Sequence, residues 1–292
     1  MKSPSFFGYA FLLPALLFYC GFVIFPFGKA IQYSFYRWDG IGPKHAVGLS
    51  NYISVFRDPQ LLGSIKNSLY LIIFFTIIPI TLGLILASIV NSISSSRFRS
   101  FAQLVLFLPQ IIPLVAAGIA WSWMYAKTGT VNQVLSWLGL SSLRRPWLGD
   151  FNTALPAVGI IGSWVLIGLC SVLLSSAMSK IDQSLYEAVR IDGGGWWREF
   201  STITIRGLKQ EISILMTITI IAALSSFDII YIATLGGPGR HTLVPGITIY
   251  NLAFTESQIG LASAFGVSLF FIVLIVILPL QIFMRQSEND QK

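Results

Sequence analysis

Charge is what this chain has least of. Lys, Arg, Asp and Glu make up 11% of its 292 residues, where a soluble domain carries about 25%. Hydrophobic residues make up 54%, and the mean hydropathy is +0.75. One globular core cannot hide that much apolar side chain, whereas lipid can solvate it. Cysteine is also scarce. Cys20 and Cys170 both lie inside apolar runs, which excludes a disulfide framework or a C-x-x-C centre. The two histidines, His45 and His241, stand far apart in polar segments, and haem or metal chemistry needs more ligands than these. A phosphate loop is missing as well. The Gly28-Lys29 pair is followed by Ala30 in apolar context, not by the pattern that cradles phosphates. No catalytic cluster is visible, so the chain is not expected to be an enzyme.

The formal net charge is +7, which in a soluble protein would invite a nucleic-acid reading. Here the Lys and Arg residues are scattered between apolar runs and form no basic stripe. They read as loop charges of a membrane protein, with the lipid bilayer as partner and no nucleic acid.

Uncharged windows mark the spans, since a helix needs about 20 apolar residues to cross the hydrocarbon core. They cover 3–28, 67–96, 100–126, 151–179 and 257–284. A shorter run, 212–227, reaches full length by continuing past Asp228 through Ile229-Ile230-Tyr231-Ile232. Backbone groups in lipid must bond internally, so helices are expected; the short alternating strands of a barrel are absent. The expectation is an all-α polytopic membrane protein of six transmembrane helices, at about 6–35, 67–93, 100–126, 152–179, 209–234 and 257–284, forming a single transmembrane domain over 1–292 without an internal repeat. The first run is too long for a signal-peptide core of about 7–15 residues. Tyr19 is too bulky for a lipoprotein box ending at Cys20, so the run reads as a retained span. Pro109 and Pro113 suggest an irregular third helix, either a gating element or a simple kink.

Lys and Arg counts should orient such a protein. With both termini inside, Lys2, Arg97, Arg99, Lys180, Arg190, Arg198, Arg206, Lys209, Arg285 and Lys292 lie inside, ten against nine outside. That margin decides nothing.

Between the fourth and fifth runs, 180–206 is polar and amphipathic. Ile181, Leu185 and Ala188 share one helical face, Asp182 is a candidate N-cap, and Gly193-Gly194-Gly195 breaks the helix. Trp196, Phe200 and Ile203 then share the face of a second segment. Two readings stand: an interfacial helix anchored by Trp196 and Trp197, or an elbow that docks into a partner.

The segment resembles the EAA loop of permease subunits of bacterial ABC importers, through Glu187, Ala188, Asp192, Gly193, Phe200 and Ile203. Similarity to the carbohydrate-import branch runs along nearly the whole chain. It includes Leu12-Leu13-Pro14 with Phe25-Pro26, Val47 to Tyr52, Asn67-Ser68-Leu69, Phe107-Leu108-Pro109 with Pro113 and Trp121, Asn132, Pro146-Trp147-Leu148, Gly236 to Gly239, and Gly260 to Ala264. The sequence departs from the family pattern at Val189 and Gly194, where alanines are usual, and at Ile205-Arg206, where Leu-Pro is usual.

The resemblance implies a type I importer permease fold with both termini cytoplasmic, in the bacterial inner membrane. It implies a second homologous permease subunit, two ATPase subunits carrying ATP and Mg, an extracytoplasmic solute-binding protein and a sugar or sugar-like solute moved by alternating access. No cofactor is expected in this chain. Glu187, Ala188, Asp192, Gly193 and Phe200 become candidates for coupling to an ATPase, with Glu187 as anchor.

Candidates for the solute path are Trp121, Ser163, Trp164, Ser225, Phe227, Asp228 and Tyr231, because sugars stack on aromatic rings and need several hydrogen bonds. Asp228 leads, as an ionisable residue within a span; the alternative is an interface residue near the membrane surface. The tryptophans also fit an interfacial belt. Permeases for glycerol phosphate, polyamine or oxyanion remain an alternative. An ATP-independent secondary transporter would show broken helices in matched halves and more buried ionisable groups.

Overall fold

A computed structural model describes residues 6–93 and 95–289. Lys2, Lys292 and the start of the first run fall outside the described residues. Among the described residues, five helices are long and apolar enough to span a membrane: Phe11–Ser34, Pro59–Asn91, Ala154–Met178, Lys209–Thr234 and Ile259–Met284. A sixth span is formed if Ser96–Ile111 and Leu114–Met124, bent by 93°, count as one. The bend follows from sequence. Proline disfavours the helical region for the residue before it, and Ile112, just before Pro113, has ψ 127°. Pro26 and Pro79 do not bend their helices in this way. Each follows a π-turn, Cys20–Ile24 and Ile73–Ile77, a local widening that accommodates the missing N–H.

The chain forms two compact units, Met1–Leu62 with Thr248–Phe271, and Gly63–Ile247 with Ile272–Lys292. In the first unit, the first span leads into β1 (Tyr36–Arg37), which pairs antiparallel with β2 (His45–Ala46). Asn51, on the helix Ser50–Arg57, donates through Nδ2 to Ser34 O (2.8 Å) and Tyr36 O (2.9 Å). A Cβ at Gly260 would overlap Tyr36 O, so this joint admits only glycine there.

In the second unit the fourth span, Ala154–Met178, is the central beam; 67% of its most apolar window is buried. Small residues let other helices close in on it, as lipid gives no hydrophobic drive for helix association and close contact must supply it. A Cβ on Gly159 would lie 2.5 Å from Phe74, one on Gly83 would lie 2.7 Å from Cys170, and one on Gly168 would overlap Leu106 O. A polar network reinforces one end. Asn91 donates to Ser175 O (3.2 Å), Ser175 Oγ donates to Asn91 Oδ1 (3.0 Å), and Gln103 donates to Ser175 Oγ (2.9 Å). It ties three spans together where the chain enters the elbow.

Candidate functional site

The elbow begins directly after the fourth span. Asp182 Oδ1 accepts from Ser184 N at 2.9 Å and caps the helix Gln183–Ile191. That hydrogen bond to the ionised form holds its carboxyl below the usual range. The helix ends where the glycines begin: Gly193 has φ +73°, a conformation glycine adopts without strain. Three amides close the turn, Asp192 N to Ala188 O (3.0 Å), Gly193 N to Arg190 O (3.0 Å) and Gly194 N to Val189 O (2.8 Å).

Val189 and Gly194, the two departures within the loop, touch each other. A Cβ on Gly194 would sit 2.5 Å from Val189 Cγ1 and 2.9 Å from Val189 O. The larger side chain at 189 therefore demands the missing one at 194.

An ion pair braces the elbow from inside. Arg190 Nε donates to Glu199 Oε1 at 2.6 Å and Nη2 to Oε2 at 3.3 Å. This two-point geometry is the strong form of the pair, and the Glu199 side chain is only 11% exposed. The guanidinium holds the Glu199 carboxyl below its ordinary value and is itself raised by the carboxylate. Tyr186 Oη lies 3.1 Å from Thr204 Oγ1, and the Trp196 and Phe200 rings stack at 5.3 Å. At the base, a Cβ on Gly207 would lie 2.8 Å from Ile181 Cδ1, and Ile181 packs on the buried cluster of Ala177, Met178 and Leu208. The elbow is thus a rigid extension of the core, while its tip is bare. Leu185, Glu187, Ala188, Ile191, Asp192 and Gly193 are all exposed. Ile191, at 85% exposed, is an apolar residue left almost bare among the described residues. Phe200 is half-buried in the ring stack and so belongs to the brace rather than the tip.

The solute-path candidates lie around the two broken spans. Leu114–Met124 packs on Asp228–Thr234, where a Cβ on Gly118 would overlap Ile232. The fifth span breaks at Ser225–Phe227; Phe227 has φ −142° and ψ −60°. Irregular backbone at membrane depth is tolerated where it is buried in protein or lines a cavity. Trp121, Phe227 and Tyr231 pack on one core that includes Leu71, Val158 and Ile230. Trp164 meets Trp121 edge-on at 5.6 Å, and Phe227 stacks on Tyr231 at 4.9 Å. Asp228 and Ser225 are exposed beside them. Ser163 stands apart, 4% exposed, with its hydroxyl donating to Phe74 O at 2.5 Å; it serves the packing of the second and fourth spans.

Several resemblance motifs prove to be joints. Buried Asn132 accepts from Trp147 Nε1 (3.0 Å) and Arg145 N (3.3 Å), and donates to Ala126 O, Lys127 O and Arg145 O. Asn67 donates to His241 O (3.1 Å) and Leu243 O (2.8 Å). The Arg190–Glu199 pair was not legible from spacing, since only the fold of the glycine turn brings positions nine apart together.

Comparison with known proteins bears on the family and the fold. The family described as binding-protein-dependent transport system inner membrane component matches residues 47–290. The chain is 33% identical over 276 residues to the probable ABC transporter permease protein YurN of Bacillus subtilis, covering 94% of this chain and 93% of that one. It is 32% identical to the diacetylchitobiose uptake system permease protein NgcF of Streptomyces coelicolor, covering 91% and 78%. It is also similar to a chain of a bacterial alginate ABC transporter, whose crystal structure is a complex with alginate pentasaccharide-bound periplasmic protein. That match has a TM-score of 0.79 at 25% identity, covering 96% of this chain and 94% of that chain.

Proposed function

Starting from a chain that belongs to the family of binding-protein-dependent transport system inner membrane components, the permeases of ABC importers, we propose that it carries a sugar or sugar-like solute across the bacterial inner membrane by ATP-driven alternating access. The observation that carries this reading is the exposed tip of the elbow on a rigid base. An isolated protein gains nothing by presenting Leu185, Ile191 and an exposed Glu187 on a helix locked to its core. A protein that is pushed by another one needs both features.

In this reading the elbow and both termini face the cytoplasm. Glu187 anchors the tip by accepting charge-assisted hydrogen bonds from an arginine of an ATPase, Ala188 allows close approach, and Asp192 with Gly193 sets the turn. ATP and Mg reside on two separate ATPase subunits. A second homologous permease completes the pathway, and an extracytoplasmic binding protein delivers the solute. Closure of the ATPases moves the elbow, and through it the spans, as rigid bodies. The aromatic cluster of Trp121, Trp164, Phe227 and Tyr231, with Asp228 and Ser225 at its edge, supplies the ring faces and polar groups that a sugar requires. The diacetylchitobiose and alginate relatives favour a carbohydrate over a phosphate or polyamine.

Co-purification with the ATPases, followed by uptake into vesicles, tests the reading. Glu187→Lys is expected to leave the permease in the membrane while ATP hydrolysis no longer drives uptake. Undiminished coupling in that variant would refute the docking role.

A further inference from the structure

Beside the elbow, the second unit contains two adjoining hollows of different character. One, of about 480 Å³, has a mixed polar and apolar lining and includes the charged and polar side chains of Asn91, Ser92, Arg99, Arg190 and Glu199 in its walls. The other, of about 620 Å³, is lined by Leu84, Ile85, Ile89, Trp197 and Ile205, and is almost wholly apolar. They share Ser88, Ser92, Trp196 and Phe200 as common wall, so one elongated molecule can occupy both. Among the described residues the mixed chamber carries one positive charge without a carboxylate partner. Arg190 is cancelled by Glu199, whereas the partners of Arg99 among those residues are backbone carbonyls, Ile93 O at 2.8 Å and Asn91 O at 3.4 Å, through Nε and Nη2. Its Nη1 and the indole N–H of Trp196 have no hydrogen-bond partner in the chain among the described residues. The apolar groove is open, with Ile85 46%, Ile89 56% and Trp197 69% exposed.

We propose that these hollows form a binding site for one anionic phospholipid, with its phosphate on Arg99 and Trp196 and an acyl chain along Ile85, Ile89 and Ile205. Charge complementarity selects the headgroup, and the apolar lining of the adjoining groove selects a molecule with a tail over a free phosphate. The anionic leaflet draws basic segments to the cytoplasmic surface, and basic pockets between spans hold such headgroups. This assignment rests on the reading of the elbow as a cytoplasmic-surface element. Seated there, the lipid bridges the end of the second span to the residues that follow the glycine turn.

The test is retention of lipid by the purified transporter with its partner subunits, measured by native mass spectrometry after exchange into dioleoyl phosphatidylglycerol, dioleoyl phosphatidylcholine or water-soluble glycerophosphoglycerol. Selective retention of phosphatidylglycerol is expected. Arg99→Gln should weaken that retention about fivefold, the effect of one basic residue on an anionic lipid surface. Ile85→Trp, which fills the groove without touching charge, should weaken it by a similar factor. Equal retention of phosphatidylcholine, displacement by glycerophosphoglycerol, or undiminished retention in the Ile85→Trp protein would overturn the site. ATPase subunits are scored on the same samples. Lost lipid selectivity with the ATPases still bound overturns the lipid site alone, whereas permease without ATPases overturns the functional reading.

Discussion

Replacing Gly194 with alanine puts the elbow's internal fit to a quantitative test. The backbone at 194 tolerates a side chain, since its φ lies outside the left-handed region. What resists is space. The new methyl would begin 2.5 Å from Val189 Cγ1 and 2.9 Å from Val189 O, both inside van der Waals contact. Overpacking of this kind costs roughly 1–3 kcal/mol, which multiplies the open population of the turn by roughly 5 to 150. The amides of Asp192, Gly193 and residue 194 report that opening directly, because all three bond across the turn. Hydrogen exchange at these positions should accelerate by that factor in Gly194→Ala. Adding Val189→Ala removes the nearer obstacle and leaves the carbonyl, so the double variant should recover part of the protection and not all of it. The non-additive part of the cycle is expected at roughly 1 kcal/mol, the range for residues in contact. Unchanged exchange in Gly194→Ala, or strict additivity with Val189→Ala, would refute the view that these two departures compensate each other.

Three further outcomes are expected. Because Arg190 holds the Glu199 carboxyl below its ordinary value of 4.5, the pair's stabilisation is complete above that pH and is lost as pH falls through the depressed folded value. Elbow protection in hydrogen exchange should therefore be flat from neutral pH down to about 4.5 and fall below it, and Glu199→Gln should remove the pair's share of that fall, leaving only the share of the Asp182 cap, whose carboxyl is also held low. Asn132→Ala strands Trp147 Nε1 and three carbonyls at a fully buried position. It should destabilise the 126–147 loop by about 2–3 kcal/mol, read as a lower thermal midpoint, while the elbow's exchange stays as it was. Asp228→Asn alters an exposed side chain and should leave that midpoint unchanged while shifting the solute concentration for half-maximal uptake; identical uptake curves would remove Asp228 from the path.

The membrane class and the spans were legible because uncharged length is a one-dimensional property. The irregular third span was announced by Pro109 and Pro113, yet the 93° angle depends on how the pieces pack, through Gly118 and Ile232. The break at Ser225–Phe227 has no glycine or proline, and so left no mark in the sequence beyond Asp228. At the elbow, the glycine turn and the Asp182 cap follow from local chemistry. The Arg190–Glu199 brace does not, since it joins two helices across that turn. Asn51, Asn67 and Asn132 stood out only through resemblance; their carbonyl partners lie up to 176 residues away, beyond the reach of any periodicity. Charge could not orient the chain, because ten basic residues against nine gives no bias.

Ile181 pressed on Gly207, beneath a helix separated by four residues from the end of the fourth span, leaves little slack between tip and beam. A floppy tether would let a displaced tip relax in place, and a push there would dissipate as local wobble. With the root clamped, the proposed push on Glu187 is expected to tilt Ala154–Met178 together with the helices seated in its glycine notches. Lengthening the root by a few flexible residues should therefore sever cause from effect even with every contacting side chain intact.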